Sequence, residues 1–240
     1  MSTAAPRRVI YPESDGQPMA ENTLQYQWIS TIKWGLEALF RHDPQVFVAG
    51  DLLWYPVEGD PKIRQAPDAL VVFGRPKGHR GSYRQWEEGG VPPQVVFEVL
   101  SPGNRGPELV RKHQFYERYG VEEYYVYDPD SGELSGWLRK GDRLLEIPRM
   151  EGWVSPRLGV KFGLEGTDLV LTGPDGERFA TYLELVEARE RLEAEAEAQQ
   201  HRADLEAQRA EEEKLRAEAE RQRAERLAAQ LRQLGIEPVQ

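Results

Sequence analysis

The chain reads as an α/β fold, a mixed central β-sheet flanked by helices and followed by one long helix. Three observations predict this. Short runs of β-branched and aromatic residues alternate with two stretches of helical periodicity across residues 21–180. The runs Ala69–Phe73 and Gln94–Leu100 are almost wholly apolar, as strands covered on both faces are. From about Thr181 to Leu234 the composition turns to Ala, Glu, Arg and Gln without Gly or Pro, which suits a continuous helix.

In order, residues 1–20 are polar and rich in Pro and Gly, so a flexible arm is expected. Leu24, Trp28, Ile32, Leu36 and Leu39 then recur at helical spacing between Glu21 and Phe40, giving an amphipathic helix that packs on the sheet. Val46–Tyr55 has strand composition, and Pro56 to Pro61 marks a turn, so an antiparallel pair should feed the central strands. Asp51, inside that stretch, reads either as a turn residue or as an acid supporting a nearby site. Gly74 to Gly90 is a long polar loop holding Arg75, Lys77, His79, Arg80, Arg84, Tyr83 and Trp86. Cations interleaved with aromatics suit a phosphate backbone with unstacked bases; the same residues also suit a solvated loop whose rings tuck against the core.

Past the strand at 94–100, Pro107 fits a first helical position, Glu108 a first turn and Gly120 a stop, predicting a helix from Pro107 to Tyr119. Glu123–Asp128 is a further strand, and Glu133–Arg139 with Arg143–Ile147 a hairpin around Lys140-Gly-Asp142. Segments at Trp153–Leu158 and Leu169–Phe179 are expected to complete the sheet edge. The domain thus spans 21–180, and residues 181–240 form the helical tail. In that tail Leu185 and Leu192, and again Leu227 and Leu234, fall seven apart, while one heptad position between them holds Ala196, Ala203, Ala210, Ala217 and Ala224 and its companion Gln199, Glu206, Glu213 and Glu220. Such a seam is too small and polar for a strong coiled coil. It leaves a solvated helix braced by i,i+4 charge pairs or a weak homodimer closed at its ends, with self-association the preferred reading. Gly235 and Pro238 end the helix.

Composition bounds the function. The 240 residues suffice for one well-buried α/β domain with an appendage. The absence of cysteine excludes disulfides and thiolate metal sites, and neither a signal-like start nor a membrane-length apolar run is present, so a cytoplasmic protein is expected. A formal net charge of -10 argues against sequence-blind attraction to nucleic acid, although acids gathered at a metal and along the tail can mask a local basic groove. His42, His79, His113 and His201 are scattered without ligand spacing, which speaks against zinc. No Gly-rich phosphate loop opens a helix.

The chemistry concentrates at three residues. Glu98 stands in the middle of an apolar strand, where an ionised carboxylate must find a cation or donors or take up a proton. Asp68 follows Pro67 and leads into the neighbouring apolar run. Two carboxylates on adjacent central strands are what an oxygen-seeking divalent ion such as Mg²⁺ uses. Lys112 lies near the centre of the helix face carrying Leu109, Tyr116 and Tyr119, where a lysine calls for a reason such as a metal-bound phosphate or water. Taken singly, these residues fit a turn cap, a buried glutamate paired with an arginine and a lysine reaching out to water. Together they favour a site.

An Asp after Pro, a distant Glu at the end of an apolar strand and a nearby Lys resemble the active site of the PD-(D/E)xK nuclease superfamily. Leu100 occupies the usual lysine position. The stretches Ala66-Pro-Asp68, Glu98-Val-Leu-Ser-Pro102, Lys112-His-Gln-Phe-Tyr116 and Gly120-Val-Glu-Glu-Tyr-Tyr-Val-Tyr-Asp-Pro129 are similar, in order and spacing, to the bacterial Uma-two family of restriction-endonuclease type, in which that lysine has moved to the following helix. The resemblance implies a restriction-endonuclease-like fold. It implies further that Asp68 and Glu98 hold Mg²⁺ or Mn²⁺ with the Val99 carbonyl as a further ligand, and that Lys112 positions the attacking water. Many members carry a histidine in the first helix, where this chain has Gln25, Tyr26 and Gln27; Glu21 is a candidate accessory acid. Ser101, Arg75, Lys77, Arg80 and Arg84 are candidate contacts to DNA. The expected activity is metal-dependent endonucleolytic hydrolysis of DNA. The competing reading is a catalytically inactive nuclease-like scaffold that binds partner proteins through the tail.

Overall fold

The computed structural model describes residues 9–14, 16–102 and 106–233. Its first unit, Met1–Tyr182, runs α1 (Thr23–Leu39), β1 (Val46–Ala49), β2 (Trp54–Tyr55), β3 (Ala69–Phe73), β4 (Tyr83–Arg84), β5 (Val95–Val99), α2 (Pro107–Tyr119), β6 (Glu123–Asp128), β7 (Glu133–Lys140), β8 (Arg143–Glu146), β9 (Lys161–Glu165) and β10 (Asp168–Thr172). Six strands form the central sheet in the order β1-β3-β5-β6-β7-β8. Only β5 and β6 are parallel within it, with Glu98 beside Val126, and a parallel pair needs a crossover, which α2 supplies.

Alternation along the strands divides the core into two layers. Val71, Phe97 and Tyr125 face α1, while Leu70, Val96 and Tyr124 face α2. α1 buries Trp28, Ile29, Ile32 and Leu36, the stripe its spacing predicts, and Asn22 caps it by accepting the Gln25 N–H. Within it Gly35 leaves room for Phe179, whose ring a Cβ would meet at 2.2 Å, so the strand exit after β10 closes down on this helix. α2 starts at Pro107 and stops at Gly120, which takes the left-handed conformation (φ 96°) that a side chain disfavours.

Three expectations need correction. Residues 46–55 are not one strand: the chain breaks at Gly50–Leu53, and β2 leaves the central sheet to pair in parallel with β4. The segments after Trp153 do not complete the sheet edge either. β9 and β10 form a separate antiparallel ribbon whose Phe162, Leu169 and Leu171 cover the α1 layer, because apolar alternation marks a face to be buried and not the strand that will pair with it. The arm is in part tied down: Tyr11 packs edge-on to Tyr55 and against Trp86, and the Pro12 carbonyl accepts the Tyr55 hydroxyl at 2.7 Å. The remainder of the predicted arm at 1–8 and 15, and the predicted stop at Gly235 and Pro238, lie outside the described residues.

The second unit, Leu183–Gln240, consists in its described part of α3 (Tyr182–Gln233), a single helix of 52 residues. It is braced by exposed i,i+4 pairs such as Arg189–Glu193 at 3.1 Å and Arg221–Glu225 at 3.3 Å. Each such pair adds about 0.3–0.5 kcal/mol to a helix. Among the described residues no helix is long and apolar enough to cross a membrane.

Candidate active site

β3 and β5 are antiparallel, pairing Ala69 with Phe97 and Leu70 with Val96. Carried one residue further, that register sets Asp68 opposite Glu98. Because side chains alternate, both project to the layer of Leu70 and Val96, under α2. Asp68 Oδ2 accepts the Val99 N–H at 2.6 Å, which ties the end of β3 to the end of β5.

α2 closes the site from above. Glu98 is 2% exposed, and its two oxygens are engaged separately: Lys112 Nζ donates to Oε2 at 2.7 Å, and the Tyr116 hydroxyl donates to Oε1. Lys112 and Tyr116 stand one helical turn apart, so a single face delivers both. Tyr116 is fixed in turn by stacking on the buried Trp54, with ring centroids 6.3 Å apart.

α1 meets the end of β5 through its first turn. Gln25 Nε2 donates to the Val99 carbonyl at 2.8 Å, while Gln25 Oε1 accepts the Glu21 N–H at 2.8 Å. The Ser101 hydroxyl donates to the Glu21 carboxylate. A cavity of about 530 Å³ opens beside this arrangement, walled by Glu21, Asp51, Asp68, Glu108, Arg111 and Lys112 among others. Glu98 does not line the cavity and meets its wall through the hydrogen bond from Lys112.

The electrostatics follow from two acids sharing one ammonium. Burial, then the charge of Glu98, push the Asp68 carboxyl well above the usual carboxylate range, against the opposing pull of Lys112 and of the Val99 N–H. Burial alone would depress Lys112, yet Glu98 and Asp68 reverse this and raise it. Tyr116 is raised well above a free phenol by burial and then by Glu98. Glu123, also buried, is the contrasting case: hydroxyls of Ser155 and Tyr125 and the Arg157 N–H at 2.7 Å all donate to it. A buried carboxylate with three donors is a satisfied structural group. Asp68 and Glu98 are instead two neighbouring acids that share the single ammonium of Lys112.

Asp68, Glu98, Lys112, Ser101 and Glu21 thus come together; Asp68, Lys112 and Glu21 line the cavity, as does Asp51 in a left-handed backbone conformation (φ 47°). The loop cations do not. Lys77 pairs with Glu37 at 3.2 Å, Arg80 with Glu88 at 2.6 Å and Arg84 with Glu87 at 3.3 Å, while Arg75 Nε donates to the Gly74 carbonyl at 2.5 Å. None of the four borders the cavity, and the loop aromatics are tucked in: Tyr83 is fully buried and stacks on Phe47. Sequence reasoning named Tyr116 and Gln25 without giving them these contacts and passed over Arg111. Tyr116 was detectable as the i+4 neighbour of Lys112, and Arg111 as its chain neighbour on the cavity side. The contact of Gln25 to Val99 spans 74 residues and has no local signature.

A family model described as "Putative restriction endonuclease" and named Uma2 matches residues 14–171, a span that includes every member of this cluster. The chain belongs to the Uma2 family. A search among curated proteins finds no match. Among solved structures, this Uma2 chain is similar to a protein from Anabaena variabilis ATCC 29413 titled a putative nuclease belonging to DUF820. The two are 12% identical, with 56% of this chain and 72% of that chain covered at a TM-score of 0.42.

Proposed function

We propose that this Uma2 protein is a divalent-metal-dependent endonuclease of the PD-(D/E)xK kind that hydrolyses DNA phosphodiester bonds in the cytoplasm. The observation that carries the reading is the convergence of Asp68, Glu98 and Lys112 on one face of the sheet beside an open polar cavity.

The residues fit a hard cation by their chemistry. Two carboxylates and the Val99 carbonyl are oxygen donors, and a bound cation would offset the burial and the Glu98 charge that raise Asp68. Among the described residues no group of three or more His, Cys, Asp or Glu is arranged to enclose a metal. Mg²⁺ commonly takes only one or two carboxylates and completes its shell with water and substrate phosphate. Asp68 and Glu98 would hold the ion, which when bound polarises a phosphoryl oxygen and lowers the pKa of water.

The rest falls to the chain. The Val99 N–H and the Tyr116 hydroxyl fix the direction of the two carboxylates. Lys112 brings a permanent positive charge to the place where a phosphate or the attacking water meets the acid pair, and so stabilises charge that grows in the transition state. Arg111, exposed on the cavity wall, is placed to contact a backbone phosphate. Pairing of two chains through the helical tail is proposed beside this reading and does not depend on it.

The test is cleavage of supercoiled and linear DNA with Mg²⁺, with Mn²⁺ and with chelator. Wild type should nick or cut only with metal, and Glu98→Ala and Lys112→Ala should each abolish this while the circular dichroism spectrum is kept. Equal cleavage by wild type and both variants, or no metal-dependent cleavage of any nucleic acid, would overturn the proposal.

A further inference from the structure

α3 carries its large apolar side chains in the open: Leu185 is 57% exposed, Leu192 66% and Leu227 51%. All three belong to one heptad position, whose inner members are Gln199, Glu206, Glu213 and Glu220. The companion position carries Arg189, then Ala196, Ala203, Ala210, Ala217 and Ala224, and then Leu231. A stripe that is apolar at both ends and alternates alanine with acid between them constrains what can lie against it.

Two copies in parallel would set every seam residue against itself. Glu206, Glu213 and Glu220 would each face the same glutamate of the other copy, three like-charge layers in succession. On the flanks Arg209 would come beside Lys214 and Arg216 beside Arg221, with no attractive pair to offset them. An antiparallel alignment gives a different set of layers: Leu185 meets Leu231, Leu192 meets Ala224, Gln199 meets Ala217 and Glu206 meets Ala210, each repeated by symmetry. Leu185 and Leu231 face each other, Leu192 faces the small Ala224, each glutamate lies across a methyl group with its carboxylate free to reach water, and Leu227 lies beside the stem of Arg189.

Charge agrees with this direction. Residues 183–208 carry eight Asp or Glu and three Arg, whereas residues 209–233 carry seven Lys or Arg and six Glu. Antiparallel pairing lays the acidic half of one helix along the more basic half of the other. In the same register Glu193 comes beside Arg221 and Glu195 beside Arg223, twice each in the dimer, against close approaches of Arg202 to Arg216 and of Arg209 to itself.

We infer that α3 is a self-recognition helix that pairs with α3 of a second copy, antiparallel and in this register. The inference takes up the pairing of chains proposed above and is independent of the nuclease reading. At 1.5 Å per residue, the register places Leu185 of the two copies about 70 Å apart, at opposite ends of the paired rod.

The chain contains no cysteine, so single-cysteine variants of the full chain report the alignment directly. Ala196→Cys and Glu220→Cys, which the antiparallel register opposes, should form a mixed disulfide on mild oxidation when combined. Ala196→Cys alone should stay uncross-linked. Wild type should sediment as a dimer, and Leu185→Glu combined with Leu192→Glu as a monomer with an unchanged thermal transition of the first unit. Self-cross-linking of Ala196→Cys would show a parallel pair and overturn the inference, as would a monomeric or higher-order wild type. Metal-dependent DNA cleavage by the monomeric variant, measured alongside, reports on the nuclease reading separately.

Discussion

Lys112→Met tests the charge arrangement at its centre. Methionine keeps the apolar stem packed under α2 and removes only the ammonium, which donates to Glu98 Oε2 at 2.7 Å with the lysine side chain 11% exposed and that of Glu98 2%. Breaking a buried ion pair by removing one partner costs about 3–5 kcal/mol. Glu98 retains the Tyr116 hydroxyl as a donor, so the lower end, about 3 kcal/mol at pH 8, is expected. For a domain of this size that lowers the midpoint by about 6–12 °C. The deficit also depends on pH, with a definite sign. Lys112 opposes the upward shift of Asp68, so its removal raises that carboxyl further. A carboxyl raised on folding holds a proton that the unfolded chain releases. Stability therefore falls as pH rises above the unfolded Asp value of about 3.9, and the loss is complete only above the folded value. The gap between wild type and variant should narrow towards pH 5, by about 1.4 kcal/mol per pH unit over the range where one extra proton is bound. Urea unfolding followed by tryptophan fluorescence between pH 5 and 8 measures it, with Trp54 stacked on Tyr116 as the reporter. A gap constant within about 0.5 kcal/mol across that range, or a variant as stable as wild type at pH 8, would refute the account.

Three further substitutions probe the surroundings. Asp68→Asn keeps an acceptor for the Val99 N–H and removes the charge that burial and Glu98 disfavour, so the variant should equal or exceed wild type in stability at pH 8, with the advantage shrinking towards acid, while losing metal-dependent cleavage; urea titration and the DNA assay check the two halves. Tyr116→Phe leaves Glu98 Oε1 without its donor and should lower unfolding free energy by about 1–3 kcal/mol, and an unchanged denaturation midpoint would count against that hydrogen bond. Gln25→Ala leaves the Val99 carbonyl and the Glu21 N–H without partners, for a loss of about 1–3 kcal/mol and faster amide exchange at Glu21, readable by hydrogen exchange.

What the residues alone determined was the class of each element and the kinds of group available. α2 and β6 were legible because Pro107, Gly120 and an unbroken run of strand formers act over a few neighbouring positions, and propensity is a local property. The same is true of Asp68, Glu98 and Lys112 as costly groups in apolar surroundings. Tertiary structure decided everything that depends on register and partner. It placed Asp68 opposite Glu98 on one face, gave each Glu98 oxygen its own donor, and brought Gln25 across to the Val99 carbonyl. It also spent Lys77, Arg80 and Arg84 on Glu37, Glu88 and Glu87, and sent β9 and β10 to cover a helix layer instead of the sheet edge. Hydrogen bonds and ion pairs form between whichever groups the folded backbone brings within about 3–4 Å, and a sequence carries that distance only for residues near one another along the chain.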